Sequence, residues 1–464
     1  MPTIPVDQID ADALKVVRRH TRSGYDAYLV GGCVRDLLIG RKPKDFDVAT
    51  SATPTQTRAI FRNCRIIGRR FRLAHVFFGS KIIETSTFRA NPREPEVVDE
   101  NATPEELPEG VTVTEDNNEL LIRHDNVFGT AEEDARRRDF TMNGLFYDVD
   151  ENKVIDYVDG LPDIERRLVR TIGDPDVRFR EDPVRILRAI KFASRLDFTI
   201  EDTAYEAILK HRGEIAKCAP PRVLEEIYRL LREGAGHSAL RKLEETGVLG
   251  VLMPTFARRL VEDPEERIVL GRTLGVLDEH VADGLSPSNA LVLGVMLAPF
   301  CADILYDDDD TRSFDLNGLE ARIVPLLADV RPSRRDSETL RQIFIAQRRL
   351  LPPKNRRGPR RSGGRTASLV RREWFNDALL LFELMHPGAG DEIQEELARW
   401  RRLARESTIS PSQNAAPGSG APAADGGDDE PEGTMVDSDP TEPRRRRRRR
   451  GGRRRQVPGA KPVS

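Results

Sequence analysis

Two aspartates that stand two positions apart, Asp45 and Asp47, have the spacing that most directly suggests chemistry in this chain. They flank Phe46 in a run that predicts a β-strand. Residues i and i+2 of a strand point to the same face, with Cα atoms roughly 7 Å apart. Such carboxylates can converge on two Mg²⁺ ions about 4 Å apart, as two-metal phosphoryl transfer requires. The pair therefore predicts a metal-dependent catalytic site, with Mn²⁺ as a substitute ion.

A glycine pair precedes the aspartates. Gly31 and Gly32 end one predicted strand and begin a short helix, so their backbone N–H groups can approach a phosphate closely. Arg35 follows and adds positive charge. Glu84, on a later predicted strand, is a candidate third metal ligand, with an ordinary exposed carboxylate as the alternative interpretation. The order of strand, glycine pair, helix, strand and aspartate pair favours a functional site over an ordinary turn.

Two more polar clusters lie further along the chain. In Arg136–Asn143 (RRRDFTMN), a basic run is followed by an acid, a hydroxyl and an amide that can hold phosphates and a ribose. A solvated charged face is the alternative. In Glu181–Arg188 (EDPVRILR), helical spacing predicts that Asp182 and Arg185 face the same way and that Arg188 extends the stripe. A structural ion pair is the alternative there.

The elements that must position these residues predict an α+β protein. Strands and helices alternate over residues 1–163, which predicts a mixed catalytic domain around a small sheet. An acidic, proline-rich stretch at about 90–119 reads as a flexible insertion in that domain. Residues 164–406 have helical periodicity nearly throughout and predict a helical nucleotide-recognition and RNA-binding region. Residues 407–464 are acidic and then arginine-rich, and predict a disordered tail.

The net charge of −3 conceals segregated blocks of opposite charge. A basic Gly/Pro segment lies at 354–365, and the tail contains a dense arginine cluster suited to sequence-independent capture of RNA phosphates. The cluster is made of Arg444, Arg445, Arg446, Arg447, Arg448, Arg449, Arg450, Arg453, Arg454 and Arg455. The four cysteines lack CxxC spacing and read as reduced thiols. With no predicted signal peptide or bilayer-spanning run, we expect a cytoplasmic protein.

The segments VGGCVRD, KDFD, RRDFTMN, EDPVRILRA and RVLEE occur in the order of the five motifs of class II nucleotidyltransferases. The chain therefore resembles this group of the polymerase-beta superfamily, which contains the CCA-adding enzymes and the bacterial poly(A) polymerases. The stretch GRRFRLAHV looks like the poly(A) polymerase branch specifically. The similarity is dense over about residues 25–250.

The resemblance implies a catalytic role for three carboxylates. It implies that Asp45 and Asp47 bind the catalytic metals and that Asp139 belongs to the active site. It places Arg137 and Asn143 near the sugar and phosphates of ATP, the expected substrate. The implied activity is addition of AMP to RNA 3′ ends, which marks RNAs for decay and quality control. RNA-decay factors are the expected partners, and the chain is expected to be a monomer.

The resemblance also implies that Asp182 and Arg185 read the incoming base, while Arg222 and Glu226 brace the helix that carries that pair. A carboxylate that accepts and a guanidinium that donates suit the amine-and-ring-nitrogen edge of adenine or cytosine. Guanine and uracil present the opposite pattern. The pair therefore leaves open two enzymes, one adding only A and one adding C and A.

Two features favour a poly(A) polymerase: the resemblance of GRRFRLAHV, and an arginine tail that would tether unrelated RNA ends. A tRNA CCA-adding enzyme is the first alternative, because it would share the motifs and the base-reading pair. The second alternative is a non-catalytic RNA-binding protein on the same fold, against which the intact aspartate pair argues.

Overall fold

The computed structural model describes residues 4–68, 72–90, 127–307, 314–352 and 368–409. Four features of the sequence lie wholly or largely outside these ranges. They are residues 69–71 of the GRRFRLAHV stretch, the acidic insertion, the basic segment and the arginine tail.

A mixed sheet forms the centre of the N-terminal region. Its strands are β1 (Ala27–Val30), β2 (Asp47–Thr50), β3 (Cys64–Ile67), β4 (Leu73–Phe78), β5 (Lys81–Thr87), β6 (Leu145–Asp148) and β7 (Lys153–Asp156). Within the described residues the order is β3-β4-β5-β2-β1-β6-β7. Neighbours are antiparallel except β2 and β5, which run parallel. The predicted mixed sheet is thereby confirmed.

Helices cover both faces of this sheet. They are α1 (Ala11–Arg22), α2 (Gly32–Leu38), α3 (Pro54–Ile60), α4 (Ala131–Arg137) and α5 (Gly160–Glu165). Because side chains alternate along a strand, Leu29 and Val48 join the main core with α1. Val30 and Ala49 point the other way and pack with Ala135 of α4 in a smaller cluster. Asp47, two residues before Ala49, therefore belongs to the face that α4 partly covers.

The rest of the described chain is almost entirely helical, as predicted. The first helices are α6 (Pro175–Glu181), α7 (Val184–Leu196), α8 (Asp202–His211), α9 (Pro220–Arg232) and α10 (Gly236–Glu245). They are followed by α11 (Val248–Leu252), α12 (Pro254–Glu262), α13 (Pro264–Ala282), α14 (Asn289–Leu297), α15 (Ala302–Leu305), α16 (Leu316–Leu327), α17 (Arg334–Leu350), α18 (Phe375–Met385) and α19 (Asp391–Ile409). None of the described helices is both long and apolar enough to cross a membrane.

Two short parallel strands pair with each other at the start and the end of the segment that contains α6 and α7. They are β8 (Leu168–Val169) and β9 (Thr199–Ile200), and in this ladder Leu168 lies beside Thr199. The ladder is extended at both ends, because the N–H of Thr199 donates to the carbonyl of Arg167 and that of Glu201 donates to Val169. The segment that carries the predicted base-reading pair thus begins and ends on adjacent, hydrogen-bonded strands.

Candidate active site

The end of β1, the start of β2 and the middle of β5 bring the predicted metal ligands together. Val30, the last residue of β1, lies directly opposite Asp47, the first residue of β2. In the parallel pairing of β2 with β5, Val48 lies beside Thr85. The preceding residues, Asp47 and Glu84, are therefore neighbours on one face of the sheet. The structure differs from the sequence interpretation in one detail, because Asp45 precedes β2 and does not lie within it.

Gly31 makes the tight connection from β1 to α2. Its φ of +73° lies in the left-handed region that favours glycine, and a Cβ there would stand 3.0 Å from Nη1 of Arg138. The N–H of Gly31 donates to the carbonyl of Leu145 at 3.1 Å. Gly32 then begins α2. The glycine pair therefore lets the chain turn closely past Arg138 beside the aspartates.

Asp47 lies in a strongly negative environment. Burial among protein atoms raises the pKa of Asp47 to about 6, the charges of Glu84 and Asp45 raise it as well, and Arg138 opposes them. Its side chain is nevertheless exposed by surface area. Asp47 is thus reached by water on one side and packed against protein on the other. Asp45, Asp47 and Glu84 are close enough for their charges to act on one another.

This carboxylate group fits a divalent cation. In the parts of the chain that the structure describes, no group of three or more histidine, cysteine, aspartate or glutamate side chains is arranged to enclose a metal ion. Mg²⁺ is commonly held by one or two carboxylates and completed by water and substrate phosphates, so a closed cage is not required. Burial and the charges of Glu84 and Asp45 raise the pKa of Asp47, and a bound cation would oppose both effects.

Two residues beside the carboxylates were not singled out from the sequence. Arg138 is the cation that acts on Asp47, and its guanidinium donates to Asp134 at 2.9 Å and to the carbonyl of Asn143 at 3.4 Å. His75 lies on β4 with Nε2 3.6 Å from Oε1 of Glu84. The arginine run indicated Arg138 only as one of three equivalent cations. Nothing in the sequence indicated His75, because its pairing with Glu84 depends on strand register.

Asp139 is a buried structural acceptor in this network. Its Oδ1 accepts from the backbone N–H of Phe140 at 2.9 Å and from the amide of Asn143 at 3.3 Å. Nη2 of Arg188 lies 2.7 Å from its Oδ2. Burial alone would raise the pKa of Asp139, but Arg188, Asn143 and Phe140 together hold the pKa below its usual value. Asp139 therefore connects this segment to α7 as a carboxylate, and its place in the active site stays a prediction.

Arg35 and Asn143 are buried against each other, and neither is presented to the carboxylates as a free side chain. Arg35 is only 2% exposed, donates to Asp36 at 2.7 Å and 2.9 Å, and donates to the amide oxygen of Asn143. Its guanidinium also lies over the ring of Phe192. Arg137 lies near Asp134, with 3.7 Å between the charged atoms. Arg35, Asn143 and Arg137 therefore support the site through their contacts with other protein groups.

The predicted base-reading residues do not share one helix face. Asp182 follows the end of α6 and accepts from Nη2 of Arg222 at 2.9 Å and 3.1 Å. Arg185 lies in α7 and donates to Glu181 at 2.9 Å and to the carbonyl of Arg178 at 2.9 Å. Asp182 and Arg185 therefore do not form the ion pair with each other that was the alternative interpretation; each side chain binds a different partner. Both side chains still lie at the start of α7.

Arg222 and Glu226 connect α9 to this region. Besides the contact of Arg222 with Asp182, Glu226 accepts from Nζ of Lys191 at 2.8 Å. Both partners of this second pair are buried, with side chains 7% and 10% exposed. The two contacts hold α9 against Asp182 and against α7, which is the arrangement that the predicted bracing role requires.

Comparison with known families supports this architecture. Residues 27–170 match the poly A polymerase head domain. Residues 197–260 match the domain described as a probable RNA and SrmB-binding site of polymerase A. The first match contains the aspartates and the glycine pair, while the second begins directly after α7.

Individual relatives agree with the family matches. Poly(A) polymerase I of Salmonella typhimurium is 37% identical over 402 residues, which cover 84% of this chain and 82% of the relative. A CCA-adding enzyme of Geobacillus thermodenitrificans is 36% identical over 247 residues, covering 53% and 55%. The Bacillus stearothermophilus CCA-adding enzyme crystallised with CTP shares the fold, with a TM-score of 0.58 at 23% identity over 85% of this chain and 82% of that one. The chain therefore belongs to the poly(A) polymerase family of nucleotidyltransferases.

Proposed function

We propose that this protein is a template-independent polynucleotide adenylyltransferase, which transfers AMP from ATP to the 3′ end of RNA and releases pyrophosphate. The observation that carries the proposal is the convergence of Asp45, Asp47 and Glu84 beside the Gly31 turn, in a chain whose poly(A) polymerase relative matches along most of both lengths. A CCA-adding relative that covers 68% of this chain and 78% of its own length is only 29% identical. The lower identity favours AMP addition over CCA addition.

Asp45 and Asp47 are the proposed ligands of two Mg²⁺ ions, with Glu84 as a further ligand. Such ions would increase the acidity of the RNA 3′-hydroxyl and neutralise the leaving pyrophosphate. The carboxylates lie where β2 begins, beside the middle of β5. Gly32 offers backbone N–H to a phosphate, because the N–H of Gly31 is already used by Leu145. Arg138 adds positive charge on the same side.

The buried residues keep this arrangement rigid. Arg35, Asn143 and Asp139 form a continuous chain of hydrogen bonds from α2 to the segment after α4. We therefore assign Arg35 and Asn143 to positioning, with the phosphates and ribose contacted by neighbouring groups. Arg188 supplies positive charge beside Asp139, and Arg137 supplies it beside Asp134.

Asp182 and Arg185 are the proposed readers of the base. Asp182 accepts from Arg222 and retains further lone pairs for the exocyclic amine of adenine. Arg185 would donate to the ring nitrogen. Glu181 already holds Arg185, and Arg222 already holds Asp182. Because the two base-reading side chains are ordered before the nucleotide binds, the entropic cost of recognition is lower.

RNA binding is assigned to the helical region and to the ten tail arginines. The region after α7 carries the family match for RNA binding. We further propose that the enzyme works as a monomer in the cytoplasm with RNA-decay factors, and that the A tails mark RNAs for decay.

A nucleotide test separates the two enzymatic candidates. Full-length protein with Mg²⁺ is given ATP alone or CTP plus ATP, on an unstructured RNA and on a tRNA that lacks its CCA end. The proposal expects a long ladder on the unstructured RNA with ATP alone. A product that stops after CCA on the tRNA, with no ladder on other RNA, would identify a CCA-adding enzyme.

A further inference from the structure

Arg178 is a buried guanidinium to which neither the sequence nor the proposed reaction assigns a role. It lies in α6 and is 5% exposed. Nη2 donates to two successive backbone carbonyls, those of Arg137 at 2.7 Å and Arg138 at 2.6 Å. These carbonyls end α4, immediately before Asp139. Arg178 therefore fixes the backbone of the two residues that come directly before Asp139.

The other arm of the same guanidinium reaches the base-reading side. Nη1 of Arg178 donates to Oε2 of Glu181 at 2.8 Å. That same carboxylate oxygen accepts from Nη1 of Arg185 at 2.9 Å. Arg185 also donates to the backbone carbonyl of Arg178. Two cations thus converge on one carboxylate, so the orientation of Arg185 depends on where Arg178 and Glu181 stand.

The contacts of Arg178 and Glu181 form a bridge that connects the segment before Asp139 with the base-reading side chain of Arg185. Arg138, whose backbone carbonyl accepts from Arg178, places its guanidinium beside the Gly31 turn, next to the strand end that Asp47 faces. Arg185 is the proposed donor to the base. A planar fork with several donors can keep two such groups at a fixed separation, whereas a single ammonium cannot. Nε of Arg178 is buried without a hydrogen-bond partner, which is a cost that the three hydrogen bonds donated by Nη1 and Nη2 offset.

We propose that Arg178 is a positioning residue that fixes the distance between the base-reading side chain of Arg185 and the catalytic segment at Arg138. The proposal rests on the proposed function of this site. With Arg178 in place, a base that satisfies Arg185 brings its phosphates into register with the carboxylates. Without it, Arg185 and the segment before Asp139 move independently, so a wrong base is no longer penalised by misplaced phosphates.

The test measures nucleotide selectivity in the full-length protein. The quantity is kcat/KM for ATP divided by kcat/KM for GTP, with Mg²⁺ and an unstructured RNA primer. Arg178→Met keeps the apolar stem but cannot donate, and the ratio should fall roughly tenfold or more, since small misplacements cost large factors in rate. Arg178→Lys should fall between this variant and the wild type. Because both constants come from one preparation, the fraction of folded protein cancels from the ratio.

Glu181→Gln provides the second variant, since it weakens the same bridge from the other end. It should lower the ratio, and the double variant with Arg178→Met should lower it less than the product of the two single effects. Arg322→Met is the matched control, because Arg322 also donates to a backbone carbonyl, that of Phe300, and to a carboxylate, that of Asp303, but lies in α16. Its ratio should equal that of the wild type.

An unchanged ratio in both Arg178→Met and Glu181→Gln, even with a lower rate or Tm, would make Arg178 merely structural and overturn the proposal. A wild-type protein that incorporates no AMP would contradict the proposed function instead, so the two failures are distinguishable.

Discussion

At the scale of single residues, the charge on Asp47 connects the strand geometry with the reaction. Three carboxylates repel one another at this position, and the proposed cations convert that repulsion into binding. An amide of the same size would remove the charge while leaving the strand pairing intact. The effect of this substitution on AMP transfer can therefore be measured separately from any effect on folding or on RNA affinity.

We expect Asp47→Asn to lower AMP transfer by about 1,000-fold or more, because the metals supply several kcal/mol of transition-state stabilisation. RNA binding, measured by fluorescence anisotropy, should stay at the wild-type level. Asp150→Asn in the exposed turn between β6 and β7 is the control and should be fully active. Substantial activity in Asp47→Asn would contradict the metal assignment.

Gly31 provides a second prediction with an internal control. Gly31→Ala adds a Cβ 3.0 Å from Arg138 at a φ of +73°, whereas Gly40→Ala meets nothing within 4 Å at a φ of +71°. Both should lose about 1 kcal/mol of stability from backbone strain. Only Gly31→Ala should also lower kcat, because Arg138 is displaced. Equal activities of the two variants, in assays at the same temperature, would count against the role of this turn.

The sequence predicted residues whose partners are local. The glycine pair and Asp47 could be placed together because one short helix separates their strands. The choice of Arg138 within its run, the contact of His75 with Glu84 and the pairing of Asp182 with Arg222 could not be predicted. Each depends on strand register or on contacts between residues far apart in the chain, to which local periodicity is blind.

At the scale of elements, the pairing of α7 with α9 depends on a buried charge pair. Glu226→Ala leaves Lys191 buried without its partner, and we expect it to cost about 3–5 kcal/mol of unfolding free energy. The double variant Lys191→Met with Glu226→Leu should regain most of this loss. Glu245→Ala breaks an exposed pair with Arg241 and should cost less than about 1 kcal/mol. Denaturant unfolding measures all three, and a small effect of Glu226→Ala would argue against the brace.

The contact between α1 and α3 should respond to pH. His20 is fully buried, with Nε2 3.2 Å from the hydroxyl of Thr57, and burial lowers its pKa below the ordinary value. The unfolded state therefore takes up protons first, below about pH 6.5, and stability is lost as the pH falls from there. We expect His20→Gln to lose less Tm than the wild type between pH 7.5 and pH 5. Parallel Tm curves would contradict this.

The element types were largely predictable because periodicity decides them. The helical second half and the mixed sheet follow from apolar spacing of about 3.6 and 2 residues. The parallel pairing of β2 with β5 was not predictable, since β3 and β4 intervene in the sequence. That pairing is what brings Glu84 beside Asp47.

At the scale of the whole molecule, RNA capture and catalysis are assigned to different parts of the chain. Deletion of residues 443–464 should weaken binding to single-stranded RNA most at low salt and make the salt dependence of log Kd shallower, because counterion release scales with phosphate contacts. Replacing the ten arginines with glutamine should have the same effect. A salt slope equal to that of the full chain would exclude a role for the tail.

The β8–β9 ladder makes the segment between Leu168 and Ile200 a unit with adjoining ends. A unit of this kind can be exchanged as a cassette, since the chain enters and leaves it at one place. It contains Asp182 and Arg185, together with the bridge from Arg178. We therefore expect that exchange of this one short stretch would transfer the proposed nucleotide preference, while the sheet that carries the carboxylates stays unchanged.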